Sequence, residues 1–87
     1  MSYHVTLRPA ARKTLKRLGD KEHELVLKGI HALEDNPLHG DVKPLSGFDL
    51  CRLRVGVLRL IDSVNVARRE VYVERVARRS EKTYRGL

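Results

Sequence analysis

Ten side chains carry most of the chemistry in this 87-residue chain: Arg52, Arg54, Arg59, Arg75, Arg78, Arg79, Arg85, Lys43, Lys82 and Tyr84. A guanidinium is a permanently charged fork that meets phosphate oxygens two at a time. Three of these forks interrupt the most apolar stretch of the chain, CRLRVGVLRLI at 51–61. Side chains of an extended strand alternate between faces, so Arg52 and Arg54 share one face while Cys51, Leu53 and Val55 share the other. If the chain turns back at Gly56, Arg54 and Arg59 meet across the pair. Like charges set opposite one another weaken a sheet unless an anion lies between them. A local cost with no structural return is characteristic of functional sites. The spacing therefore favours an anion-binding sheet face over a merely solvated one.

Other chemistries find no support. The sequence has no glycine-rich phosphate loop, no Cys/His metal spacing and no Gly-x-Ser-x-Gly elbow. Its four histidines (His4, His23, His31 and His39) are dispersed, as surface histidines are. No acidic pair stands out on a common strand face. With a single cysteine, Cys51, no internal disulfide can form, and the residue reads as a small buried hydrophobe. No apolar run is long enough to span a membrane and the N-terminus lacks a signal-peptide pattern, so the expected location is the cytoplasm.

Charge sharpens the picture. The net charge is +7 and the pI near 10.1, values that suit a polyanionic partner. Residues 1–51 hold 8 Lys+Arg against 7 Asp+Glu, whereas residues 52–87 hold 10 against 4, nine of the ten being arginine. The excess thus sits in the half that bears the interrupted strand.

The elements needed to position these residues follow from periodicity. Tyr3 to Leu7 alternates as a short strand. Pro9 suits a first helical turn, and Ala11, Leu15 and Leu18 recur on one face of a helix ended by Gly19. Asp20 can cap a second helix with the stripe Leu25/Val26, Gly29/Ile30 and Leu33, and Asn36-Pro37 stops it. A polar loop over 38–47 precedes three strands at 48–55, 57–64 and 70–77, with polar turns at Gly56 and at 65–69. The expected architecture is one α+β domain over 1–87, β-α-α-β-β-β. Two helices lie on one face of a mainly antiparallel sheet, and the opposite face stays open.

Taken together, these segments carry a resemblance. "Y-x-V-x-L…A-x-K-x-L-K-x-L", "L-E-D-N-P", "K-P-L-S-G", "C-R-L-R-V-G-V-L-R-L-I" and "V-A-R-R-S-E-K-T-Y-R" occur in the order found in the RelE/ParE toxin superfamily, and they span almost the whole chain. The chain resembles that superfamily, and its RelE-like branch most. The resemblance implies the fold just described and a type II toxin–antitoxin system. It also implies one of two activities: ribosome-dependent cleavage of mRNA, or ParE-like inhibition of DNA gyrase without nuclease activity. A degenerate relative that only binds its antitoxin or nucleic acid is a third outcome.

For the nuclease, the resemblance implies roles for Arg52, Arg54, Arg59, Arg79 and Tyr84; Arg54, Arg59, Arg79 and Tyr84 are expected to be catalytic, and Arg52, together with Lys43, Arg78 and Lys82 from the basic set, to contact the nucleic acid. The ribose 2′-OH is the nucleophile, so the chemistry calls for no protein nucleophile, no metal and no cofactor. Tyr84 is the titratable group of the matched set, with Lys82 as an outside candidate for proton transfer. The implied partners are the ribosome with its mRNA, and an antitoxin expected to be acidic and to fold on binding. One motif departs from the family. The pattern Gly-x-Tyr-Arg-x-x-Tyr reads here Gly56-Val57-Leu58-Arg59-Leu60-Ile61-Asp62, without either aromatic. Asp62 in a sheet interior calls for a partner, and an arginine is expected.

Overall fold

The computed structural model describes residues 2–37, 42–44 and 50–78. Strand β1 is His4–Leu7, helix α1 Pro9–Leu15 and helix α2 Asp20–Asp35. Strands β2 (Val42–Pro44), β3 (Cys51–Val55), β4 (Leu58–Asn65) and β5 (Glu70–Arg78) follow. Pro9 opens α1, where its missing N–H costs nothing. The apolar stripe predicted through Leu18 outlasts the α-helix. After Leu15 the chain tightens, with Arg17 N–H donating to the Thr14 carbonyl and Leu18 N–H to that of Leu15. Gly19, rather than Asp20, is the N-cap of α2, and Asp20 and Glu22 lie in its first turn, where the helix dipole favours acids.

The five strands form one sheet in the order β1-β5-β4-β3-β2. All pairings are antiparallel except β1 with β5, which is parallel. Strand β2 is an addition to the expected order. Its three residues fall inside the polar stretch 38–47, too short for alternation to reveal, and its identity as a strand comes from pairing with β3. The β3–β4 hairpin turns through Gly56 and Val57, and Gly56 takes φ 57, a conformation glycine adopts without strain.

Between β4 and β5 the register slips at Ile61/Asp62: Ile61 pairs with Arg75, and Asp62 with Val73. Glu74 is therefore the extra residue of a β-bulge. Both helices contribute to a core that includes Ala11, Val26, Leu33, Leu53, Val55, Leu58, Leu60, Val71, Val73 and Val76. Helix α2 comes so close to the sheet at Gly29 that a Cβ there would collide with Leu60 and stand 2.9 Å from Val55 Cγ2.

Candidate functional site

The hairpin register sets the site. Arg54 lies directly opposite Arg59, and Arg52 opposite Ile61. On the next strand Ala77 is opposite Arg59 and Arg75 opposite Ile61. Because Leu53, Val55, Leu58 and Leu60 turn into the helix-covered core, alternation puts Arg52, Arg54, Arg59, Ile61, Arg75 and Ala77 on the other face. Arg54 is exposed and Arg75 lies at the same surface, while Arg52 and Arg59 are partly covered. Three adjacent strands thus contribute to one cationic surface.

The expected wholly open face is partly closed at one corner. Ile61 is 0% exposed although it lies outside the helix-side core cluster. Arg8, Pro9, Leu50, Glu74 and Arg75 surround it and line a cleft of about 400 Å³. The bulge arranges this corner, since an extra residue lets Glu74 and Arg75 project on the same side of the sheet. Glu74 Oε2 accepts a hydrogen bond from Ser63 Oγ at 2.9 Å and forms an ion pair with Arg8 Nε at 3.5 Å. The Arg8 guanidinium in turn lies 4.3 Å from the centre of the Tyr72 ring. Sequence reasoning missed Arg8, Ser63, Tyr72 and Glu74, because no local pattern announces a bulge.

Not every expected residue joins the row. Arg78 pairs with Leu58, on the helix side of the sheet, and its Nη2 lies 3.1 Å from both carboxylate oxygens of Glu22 on α2. The structure thus ties Arg78 to a helix and away from Arg54 and Arg59, a correction to its grouping with them. Lys43 lies in β2 opposite Arg52. Arg79, Lys82 and Tyr84 fall outside the described residues.

Asp62 departs from expectation more sharply. It is 0% exposed, and among the described residues neither carboxylate oxygen has a hydrogen-bond partner, so the expected arginine is not there. Burial, and then the neighbouring Glu74 carboxylate, push its pKa from 3.8 up to about 7. Cys51, directly opposite Asp62, has its thiol pKa raised by burial and then by Asp62. A raised pKa keeps a thiol protonated and inert, in keeping with a structural role. Among the described residues no group of three or more His, Cys, Asp or Glu side chains could hold a metal ion. No described helix is long and apolar enough to cross a membrane.

No family model and no curated protein sequence matches the chain. Solved structures do. The RelBE toxin–antitoxin complex of Mycobacterium tuberculosis contains a chain with TM-score 0.82 and 26% identity, covering 91% of this chain and 100% of its own length. The archaeal RelE–RelB complex of Pyrococcus horikoshii gives TM-score 0.80 and 29% identity over 93% of this chain and 99% of that one. The free E. coli toxin RelE, in a variant with two arginines replaced by alanine, shares the fold at TM-score 0.78 and 22% identity, over 95% of this chain and 90% of that one.

Proposed function

From membership of the RelE-like toxin superfamily, which the shared fold and order of elements support, we propose that this chain is the toxin of a type II toxin–antitoxin pair and cleaves mRNA on the ribosome. The observation that carries this reading is the placement of Arg54 opposite Arg59 on the face away from the helices, with Arg52 and Arg75 alongside. Cleavage requires three things. The 2′-OH must lose a proton, the phosphorane must have its added negative charge stabilised, and the 5′-oxygen must gain a proton as it leaves. Arginine stays protonated, so Arg54 and Arg59 supply the second requirement by fixed electrostatics rather than by proton transfer. That contribution is usually the largest one. Arg52 adds positive charge on the same face. Arg79 and Tyr84, carried over from the family pattern, complete the proposal, with Tyr84 as the proton-transfer group.

The partner follows the same logic. The Mycobacterium and Pyrococcus neighbours are found with their antitoxins, and an acidic antitoxin segment suits a +7 chain. The test is to induce the chain in cells without its antitoxin and to map transcript 5′ ends. Cuts within translated codons, lost with Arg54→Ala, support the nuclease. Intact transcripts accompanied by DNA-damage signalling overturn it in favour of the gyrase-directed alternative.

A further inference from the structure

We propose that the cleft around Ile61 is a nucleobase pocket, in which Glu74 selects bases that present an amino group. The inference rests on the arginine face being an RNA-binding one and adds a reader to it. Its starting point is distance along the strand. Arg59 and Ile61 are two residues apart on one face, about 7 Å in strand geometry. That is roughly the reach from a nucleotide's phosphate to its base, so a phosphate seated on Arg54 and Arg59 delivers the adjoining base to the cleft.

The cleft is built to receive one. At about 400 Å³ it lies in the range of small-ligand pockets, and Leu50, Pro9 and Ala10 give it apolar walls, with the buried Ile61 beneath them. Polar groups converge on it from one side. Glu74 Oε2 is already engaged by Ser63 and Arg8, which fixes the carboxylate in place. A carboxylate has about four lone-pair sites on its two oxygens, so acceptor capacity remains for a ligand donor.

Because it only accepts hydrogen bonds, a carboxylate discriminates by what the base can donate. Adenine, cytosine and guanine each carry an exocyclic amine. Uracil presents carbonyl oxygens on either side of a single N–H, and these repel a carboxylate. Single-stranded RNA is commonly read in this way, by apolar contact with the base plane and hydrogen bonds to its edge. The bulge is what makes the pocket possible, because without the extra residue Glu74 and Arg75 could not share a face.

The test reads binding alone, with the isotope-labelled intact chain titrated by single nucleotides and followed through its backbone amide resonances. AMP, CMP and GMP are expected to shift Ile61, Glu74 and Arg75, and UMP to bind there roughly tenfold more weakly, as one hydrogen bond to a charged group implies. Ribose 5-phosphate, which lacks a base, is expected to shift Arg54 and Arg59 but not Glu74. In Glu74→Gln the amide offers either donor or acceptor, so the four nucleotides should converge to within about twofold. The same spectra report whether that variant is folded.

Three results overturn the pocket: no nucleotide shifts around Ile61, equal binding of all four by the unmodified chain, or discrimination that survives Glu74→Gln. Shifts at the cleft produced by the antitoxin but by no nucleotide also overturn it, and assign the surface to the protein partner. Failure of the nuclease reading appears separately, as uncut transcripts, and does not depend on these spectra.

Discussion

Arg54 and Asp62 are both side chains the sheet would fold more easily without. Replacing Arg54 by alanine removes one of two like charges facing each other across the hairpin. Thermal melts are therefore expected to show Arg54→Ala as stable as the unmodified chain or slightly more so, while growth inhibition on induction disappears. A variant that melts early, or remains fully toxic at equal expression, removes Arg54 from the site. Asp62 acts through pH. Its pKa is about 7 in the fold against an ordinary 3.8, so below pH 3.8 the group is neutral whether folded or not and costs nothing extra. Between 3.8 and 7 the unfolded chain releases the proton while the folded one keeps it, and stability falls as pH rises through that window. Urea midpoints at pH 5 and pH 8 should therefore differ clearly for the native chain and much less for Asp62→Asn. Parallel midpoints would show that the carboxyl is not held neutral. The Arg54–Arg59 pair is legible in the sequence, because alternation and a turn at Gly56 suffice to set it. The lack of a hydrogen-bond partner for Asp62 among the described residues is not, because strand pattern specifies a face and not what lies across from it.

At the scale of elements, both helices and all the longer strands follow from periodicity, since each buries an apolar stripe or an alternating face. Two features escape a sequence reading because they exist only in pairing: β2, whose length hides its pattern, and the bulge at Glu74, which is a relation between β4 and β5. That relation determines more of the candidate pocket than any residue type does. The contact between α2 and the sheet yields a sharper expectation. In a solvent-facing helix interior Gly→Ala stabilises by about 1 kcal/mol. At Gly29 the added methyl meets Leu60 and Val55, and overpacking of a core costs about 1–3 kcal/mol. Gly29→Ala should thus lower stability, by on the order of 1 kcal/mol, despite the better helix former. Domains of this size lose about 4–8 °C of melting temperature for such a change. A rise in melting temperature would mean that α2 stands off the sheet by more than the structure indicates.

For the whole molecule, the charge asymmetry is the property that sequence conveys most directly. Ten of the 18 Lys+Arg lie in residues 52–87 with only 4 acids, and the fold gathers several of those arginines on one sheet face. A charged partner is therefore steered from a distance, and rim charges affect association more than dissociation. Stopped-flow mixing with the acidic antitoxin expected beside this gene should show an on-rate that drops as salt is raised, with an off-rate that changes little. An on-rate indifferent to salt would place the interface on the apolar surfaces instead.

The parallel pairing of β1 with β5 has a consequence in time as well as in space. Strand β5 is the last of these strands to be synthesised, yet it lies between β1 and β4, so the first strand has no neighbour until the last emerges. Residues that must wait for such distant partners fold late, because loop closure precedes the contacts that repay it. Until β5 is available, Arg54 and Arg59 lie on the β2–β3–β4 part of the sheet alone, without the strand that carries Arg75. Ribosome-bound chains stalled at Arg69 should be cleaved by protease as readily as an unfolded segment, and should gain protection only when extended through Arg78 and clear of the exit tunnel. Equal protection at both lengths would show that the hairpin and helices form a stable unit without β5.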